Sequence, residues 1–150
     1  MAESIIIRAA DPMDAAALCE LLAQLGYPAS VDEIPSRLAA LRALPNAAVL
    51  VAANRYGEVI GLATCHIFPS MHDSDPVAWL TTLVVLEDAR GAGIGSELVR
   101  HVEEWAAKKG AKRLSLTSGL HRKDTHEFYE RRSYQNTGLR FSKNLVPSDQ

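Results

Sequence analysis

The segment Arg90-Gly91-Ala92-Gly93-Ile94-Gly95 lies between two runs of different periodicity. The apolar run 79–86 before it is typical of a buried strand, and the run 94–109 after it has the apolar spacing of a helix. Such a junction leaves backbone N–H groups free at a helix N-terminus, where the helix dipole favours negative charge. Gly93 and Gly95 lack the side chains that would block an approaching group. The segment therefore predicts a binding site for a phosphate or pyrophosphate.

Two common phosphate-binding motifs do not fit this segment. A dinucleotide-binding motif needs Gly-x-Gly-x-x-Gly after the first strand of a βαβ unit, whereas here the strand is in mid-chain and the spacing is Gly91-x-Gly93-x-Gly95. The sequence also contains no Gly-x-x-x-x-Gly-Lys-Ser/Thr. Taken alone, the hexapeptide is also compatible with a plain tight loop and a Gly-rich helix cap, an alternative that we weigh below the phosphate site; the surrounding sequence distinguishes the two.

The remaining sequence predicts alternating strands and helices. Asp11-Pro12 and the capping box Ser30 to Glu33 are helix starts, and Pro35 leaves a later start of the second helix, at about Ile34, as an alternative. A hairpin of two strands is followed by a polar loop at 69–76. The predicted strands are 5–8, 47–53, 59–68, 77–86, 112–118, 134–139 and 140–146, and the predicted helices are 12–25, 31–44 (or 34–44), 94–109 and 124–132.

The order of these elements predicts an α/β (α+β) fold with a mixed sheet flanked by helices. Strands 77–86 and 112–118 are expected to be parallel neighbours, because a right-handed crossover through helix 94–109 joins them. With 150 residues, one domain (1–150) is the natural expectation.

Composition narrows the function classes. The net charge of -2 draws the chain neither to nucleic acid nor to an anionic membrane. Cys19 and Cys65 are too few for a disulfide framework, which suits a reducing cytosol. We see no signal peptide and no apolar run long enough to span a bilayer, so we expect a cytoplasmic protein without nucleic-acid or membrane partners.

Two stretches together resemble one family. The run from Leu80 to Val99 resembles the acetyl-CoA-binding core of the GNAT superfamily of N-acetyltransferases: a strand, an acidic turn, Arg-x-x-Gly-x-Gly and a helix. The run from His126 to Tyr134 is similar to the family's C-terminal helix, Phe-Tyr-Glu-x-x-Gly-Phe/Tyr. Ser133 stands where the family commonly has Gly, at a position expected to take a left-handed backbone.

The resemblance implies a fold and a cofactor. The fold is a mostly antiparallel, twisted sheet of six to seven strands with a splayed parallel pair (about 77–86 and 112–118), flanked by four helices. The co-substrate is acetyl-CoA, and no metal is expected. The backbone of Leu83 to Val85 would hold the pantetheine arm. The pyrophosphate would bind to Arg90, Gly91, Ala92, Gly93, Ile94, Gly95 and Ser96.

The resemblance also implies how the amine reacts with the thioester. Tyr129 is the candidate general acid, because a phenol is protonated at neutral pH and can give its proton to the leaving thiolate. A free N–H near Leu83 would bind the oxyanion. Arg122 is a candidate contact for the 3′-phosphate of CoA.

The general base stays open. Many relatives carry Glu where this chain has Thr81 or Thr82, and neither Thr is a base at neutral pH. The alternatives are a water chain, His66 on the strand 59–68, or His72 and Asp73 in the predicted loop. A nucleophilic Cys65 and a metal site at His66, His72 and Asp73 are weaker alternatives.

The sequence thus predicts acetyl transfer from acetyl-CoA to a primary amine of a small molecule, peptide or protein, by direct attack in a ternary complex. The alternative is an acyl-CoA-binding regulatory module with the same fold and no turnover. Homodimers are frequent in the family that this chain resembles, and the predicted C-terminal strands are apolar, so we expect a homodimer.

Overall fold

The computed structural model describes residues 4–118 and 123–146. The chain divides into two units, with the boundary along the sequence between Leu116 and Thr117. The first unit holds five strands: β1 (Ile6–Ala9), β2 (Ala47–Ala53), β3 (Val59–Ser70), β4 (Asp73–Val85) and β5 (Leu114–Leu116). It also holds three helices: α1 (Ala15–Leu25), α2 (Ile34–Arg42) and α3 (Ile94–Lys108). The second unit holds α4 (Lys123–Arg131).

The five strands form one sheet in sequence order. Neighbours are antiparallel from β1 to β4, and β5 is parallel to β4, with Ala78 opposite Leu114 and Leu80 opposite Leu116. The expected mixed α/β fold with one parallel pair joined through a helix is confirmed. The β4–β5 ladder stops at Leu80, whereas β4 continues to Val85.

The helix starts follow the capping signals of the sequence. Asp11 accepts a hydrogen bond from the N–H of Met13, and Pro12 opens a 3₁₀ turn before α1. Ser30 and Glu33 form the predicted capping box around a second 3₁₀ turn, and α2 begins at Ile34 as Pro35 indicated.

Helices cover both faces of the sheet in the first unit. On one face, Leu18 and Leu21 of α1 and Leu38 of α2 pack with Leu62 and Val84 in a single buried cluster. On the other face, Gly61 lets α3 come close: a Cβ at this position would lie 2.9 Å from the Leu98 side chain. Apolar burial on both sides thus holds the helices against the sheet, and the missing side chain of Gly61 lets α3 approach closely.

The predicted polar loop at 69–76 is wrong. β3 runs to Ser70, and β4 already begins at Asp73, so the two strands form a tight hairpin. The Ser70 hydroxyl accepts a hydrogen bond from the backbone N–H of His72 and closes the turn. Pro69 lies where the register shifts between Phe68 and Ser70, which is where a strand tolerates a residue without an N–H.

The strand count of six to seven is also wrong, because the described residues contain five strands and residues 134–146 form none. Within the described ranges, no backbone–backbone hydrogen bond involves residues 135–146. Instead, the side chains of Asn136 and Asn144 accept from the N–H groups of Gly138 and Val146. Such local turns compete with strand pairing, which the alternation of apolar residues alone does not reveal.

The second unit begins its described part with Thr117 and Ser118 and continues with α4. The Tyr129 ring lies edge-to-face against Phe128 and Tyr134, with centroids 5.2 and 5.6 Å apart. Ser133 has φ +69°, which confirms the expected left-handed backbone at the helix end. Four apolar side chains beyond it are exposed: Leu139, Phe141, Leu145 and Val146.

In the described part of the chain, the helices all fall short of the length and apolar character that crossing a bilayer requires.

Candidate active site

The Arg90–Gly95 loop connects β4 to α3. A short 3₁₀ turn (Glu87–Ala89) follows β4, and the backbone then alternates between ordinary and left-handed conformations, with φ +86° at Gly91 and +82° at Gly93. Only glycine takes this conformation without strain. Gly93 is the N-cap of α3, whose first intrahelical bond runs from the Glu97 N–H to the Gly93 carbonyl.

The N–H groups of this loop are available to a ligand. Among the described residues, none accepts a hydrogen bond from the backbone N–H of Gly91, Ala92, Gly93, Ile94 or Gly95. A Cβ at Gly91 or Gly93 would meet no atom within 4 Å, so the space above both residues is open. Successive free N–H groups at a helix N-terminus form a concave site for an anion.

Arg90 ties the loop to the end of β4. Its Nε donates a hydrogen bond to the carbonyl oxygen of Val85 at 3.0 Å. The side chain is exposed, so the guanidinium keeps its remaining N–H groups at the surface beside the loop. The sequence-predicted phosphate residues therefore lie together, in one loop between the 3₁₀ turn after β4 and the start of α3.

Leu83 and Val85 direct their backbone groups away from β3. The Leu86 N–H donates to the Ile60 carbonyl at 2.9 Å, and in an antiparallel ladder every second residue faces the same neighbour. Val84 therefore pairs with Leu62 in β3, while Leu83 and Val85 face the opposite edge. From Thr81 onward, no strand of residues 4–118 or 123–146 pairs with that edge.

Val84 differs from its two neighbours. Its backbone is used in the β3 ladder, and its side chain is buried in the cluster under α1 and α2, with 5% of its surface exposed. In the expected pantetheine segment, the backbone groups of Leu83 and Val85 thus face the open edge, whereas Val84 packs in the core.

A bulge interrupts β4 next to this edge. Thr82 lies opposite Thr64, but Leu80 lies opposite Cys65, so Thr81 is the extra residue. The hydroxyl oxygens of Thr64 and Thr81 are 2.6 Å apart, and the Thr81 hydroxyl also donates to the Thr64 carbonyl at 3.3 Å. Thr64 is buried, whereas Thr81 is exposed.

His66 is two residues from Thr64 on β3, so its side chain lies on the same sheet face as that of Thr64. The residue is half-buried and lies opposite Trp79 in the ladder. Its imidazole has no hydrogen-bond partner in the part of the chain that the structure describes. His66 is therefore placed near the bulge with both ring nitrogens available.

Cys65 does not have the surroundings of a nucleophile. The residue is fully buried on the α3 face, and burial raises the pKa of its thiol to about 11. A thiol that stays protonated at neutral pH reacts poorly with a thioester. This environment counts against the acyl-cysteine alternative.

The hairpin residues His72 and Asp73 are exposed. The His72 ring nitrogen Nδ1 is 3.1 Å from the Ser70 hydroxyl, and Asp73 accepts from the N–H of Asp75 at 3.0 Å. Both side chains thus serve the local turn. Within the described ranges, His, Cys, Asp and Glu side chains nowhere form a group of three or more that could hold a metal ion.

Two predicted residues belong to the second unit. Tyr129 is half-buried in α4 within the aromatic group described above, and Arg122 lies outside the described residues. The role of each stays a prediction.

Sequence reasoning missed the Thr64–Thr81 pair and the bulge. One signal was available: Thr81 and Thr82 are two consecutive polar residues inside an apolar strand, and strict alternation cannot place both on one face. It also missed Gln24, whose side-chain oxygen accepts from the Glu87 N–H at 2.9 Å. That contact joins residues far apart in sequence, so no local pattern predicts it.

Comparisons with known proteins agree with this geometry. The sequence profile of the Acetyltransferase (GNAT) family matches residues 16–134. The aminoalkylphosphonate N-acetyltransferase of Salmonella typhimurium is 36% identical over 131 residues, which cover 87% of this chain and 82% of that protein. The aminoglycoside N(6')-acetyltransferase type 1 of Stenotrophomonas maltophilia is 28% identical over 140 residues, with 91% and 90% covered.

Solved structures of acetyltransferases have the same fold as this chain. The crystal structure of a GNAT family acetyltransferase from Staphylococcus aureus superposes with a TM-score of 0.80 at 23% identity, covering 95% of this chain and 99% of that one. At this identity the likeness concerns the fold alone. Together with the profile match and the similarity to named enzymes, it shows that the chain belongs to the GNAT family and is an N-acetyltransferase.

Proposed function

We propose that the protein transfers the acetyl group of acetyl-CoA to a primary amine by direct attack in a ternary complex. The observation that carries the proposal is the row of N–H groups from Gly91 to Gly95 that have no partner among the described residues; this row follows the open edge of β4 and the 3₁₀ turn after it. The pyrophosphate of acetyl-CoA needs N–H donors, and its extended pantetheine arm needs an unpaired strand edge. The two features therefore match the order of these groups along acetyl-CoA.

In this proposal, acetyl-CoA binds along one continuous path. The pyrophosphate binds to the loop from Arg90 to Ser96, and the pantetheine amides pair with the outward backbone groups of Leu83 and Val85. Val84 contributes through the packing that keeps the strand in place. Arg122 contacts the 3′-phosphate, as its place in the sequence before α4 predicts.

Each chemical requirement of the reaction has a candidate group. The N–H of Leu83 binds the oxyanion of the tetrahedral intermediate. Tyr129 protonates the leaving thiolate, because a phenol can donate its O–H proton. His66 takes the proton of the amine, supported by its half-buried place on the bulge face and its unengaged imidazole. The buried thiol of Cys65 supports direct attack over a covalent acetyl-enzyme.

The acceptor is a small amine-bearing molecule. The relative from Salmonella typhimurium is named for aminoalkylphosphonates, and the one from Stenotrophomonas maltophilia for an aminoglycoside. We rank aminoalkylphosphonates first, since that relative is the more similar of the two. The named relatives are enzymes, which supports turnover over the alternative of a regulatory module that only binds acyl-CoA.

Three broader features belong to the same proposal. The protein acts as a single functional domain, supported by a family match that spans both units. It works in the cytoplasm, consistent with two free cysteines. It forms a homodimer, supported by the exposed apolar side chains between Leu139 and Val146.

The proposed function is tested by incubating the protein with acetyl-CoA and a panel of amines, and by following free thiol and acetylated product. The panel contains an aminoalkylphosphonate, the matching alkylamine without phosphonate, an aminoglycoside and a lysine peptide. We expect turnover with at least one amine and the highest kcat/KM for the aminoalkylphosphonate. Tight binding of acetyl-CoA without transfer to any amine would favour the regulatory module.

A further inference from the structure

We propose that Thr81 forms part of the acceptor subsite and that its hydroxyl oxygen accepts a hydrogen bond from the attacking amine. Thr64 is a positioning residue that fixes the direction of this acceptor. The inference rests on the proposed function, because it concerns the amine that the enzyme acetylates.

We assign the proton positions in the threonine pair so that both hydroxyl protons have an acceptor. The Thr81 hydroxyl donates to the Thr64 carbonyl oxygen, 3.3 Å away. Either oxygen can be the donor in the 2.6 Å contact between the two hydroxyls, and the buried Thr64 hydroxyl, which has no other acceptor among the described residues, donates there. Thr81 Oγ1 therefore has its proton engaged and one acceptor position filled, and a hydroxyl has two acceptor positions. It presents one remaining acceptor site and no donor.

A hydroxyl that only accepts suits a nucleophilic amine. When an amine donates one N–H to Thr81, the nitrogen lone pair stays free for the thioester carbon. A side chain that donated to the nitrogen would occupy that lone pair and stop the attack. The threonine therefore orients the amine without removing its proton, and the base is a separate group.

The bulge places Thr81 at the right point of β4. Thr81 is exposed and comes one residue after Leu80, the last residue paired with β5. It precedes by two residues Leu83, whose N–H we assign to the oxyanion. Two residues of strand span roughly 6–7 Å, which accommodates an amine nitrogen and a thioester carbonyl in line between two hydrogen-bonding groups. The hydroxyl pair also holds the extra residue in place, because Thr64 is buried and cannot turn away.

The test compares isosteric variants at neighbouring positions. Thr81→Val removes the hydroxyl and keeps the shape, Thr81→Ser keeps the hydroxyl, and Thr82→Val is the matched control on the same strand. Thr64→Val and the double variant show whether Thr64 acts through Thr81. For each variant, kcat and KM for the best amine are measured at saturating acetyl-CoA, together with the Kd of acetyl-CoA and the thermal midpoint.

We expect Thr81→Val to lower kcat/KM for the amine roughly three- to tenfold, the effect of one hydrogen bond, mainly through a higher KM. The Kd of acetyl-CoA should not change, and Thr81→Ser and Thr82→Val should stay within about twofold of the wild type. Thr64→Val should lose less than Thr81→Val, and the double variant should equal Thr81→Val.

Equal kcat/KM in Thr81→Val and Thr82→Val would overturn the proposal while the proposed function stands. If Thr81→Val does not fold, Thr81→Ala takes its place in the comparison with Thr81→Ser, since alanine removes the hydroxyl without adding volume. A wild-type protein that acetylates no amine would refute the proposed function and this inference with it.

Discussion

Arg8 in β1 binds the carboxylate of Asp14 through two hydrogen bonds of 2.8 and 2.9 Å. The same carboxylate accepts from the backbone N–H of Asp11 at 2.8 Å, so one buried side chain joins the first strand to the turn before α1. A bidentate pair of this kind is stronger than an exposed ion pair.

This pair makes stability depend on pH. The hydrogen bonds from Arg8 lower the pKa of Asp14, against the opposing effect of burial. Since the folded-state pKa lies below the unfolded one, the stabilisation is complete above the unfolded value of about 3.9 and is lost as the pH falls through the folded value. Asp14→Asn should cost about 1–3 kcal/mol at pH 7, and the difference from the wild type should shrink below about pH 4.

Urea unfolding at a series of pH values measures this effect. Glu104→Gln is the control, because Glu104 forms an exposed ion pair with Arg100 on α3. A surface pair contributes little, so this variant should unfold nearly like the wild type. Equal losses for both variants would show that the Arg8–Asp14 pair has no special role.

A second prediction concerns the charge at the Arg90–Gly95 loop. Gly93 has a left-handed backbone, so any side chain there adds strain, but space for a Cβ is open. Asn and Asp have the same shape, and Asn tolerates this backbone, so Gly93→Asn measures the strain alone. Gly93→Asp should bind CoA at least tenfold more weakly than Gly93→Asn, about 1.4 kcal/mol, because it puts a negative charge beside the pyrophosphate. Calorimetry that finds the same Kd for both variants would refute the phosphate assignment.

A third prediction tests Tyr129 as the general acid. Tyr129→Phe keeps the aromatic contacts with Phe128 and Tyr134, so the fold should not change. Its kcat should fall by roughly 10²–10⁴-fold, while the Kd of acetyl-CoA stays the same. Tyr134→Phe removes the hydroxyl of the neighbouring ring and should remain active. Similar kcat values for the two variants would reduce Tyr129 to a packing residue.

A fourth prediction concerns the base. If His66 is the base, kcat/KM should fall on the acid side of the pH profile, because a protonated imidazole cannot accept a proton from the amine. His66→Gln keeps polarity and removes basicity, so it should abolish this limb and slow turnover. An acid limb that follows the pKa of each amine tested, and that His66→Gln does not alter, would indicate that no histidine base is used.

The sequence predicted most of the first unit, because its signals there are local. β2 has the predicted bounds of Ala47 to Ala53, and α2 begins at Ile34, the later of the two starts that the sequence allowed. Apolar periodicity and capping residues act within a few positions, so they can be interpreted without knowing the fold.

The predictions that failed depend on how backbone segments distant in sequence pair with each other. Pro69 indicates a loop by its residue type, but the register shift in β3 accommodates it inside a hairpin. Leu139 and Phe141 alternate like strand residues, yet strand formation needs a partner for the backbone as well as a pattern of side chains. The hydroxyl pair of Thr64 and Thr81 arises from a bulge, which a single strand's sequence does not specify.

The most direct test of the account is the stoichiometry of acetyl transfer with and without the amine. We predict one free CoA thiol for each acetylated amine, and no early burst of thiol when the amine is left out, because Cys65 is buried and direct attack needs the acceptor. Mixing the enzyme at substrate-like concentration with acetyl-CoA alone, and then adding the amine, measures both quantities. A burst of thiol without amine would contradict direct attack, and an amine that leaves thiol release unchanged would contradict acetyl transfer itself.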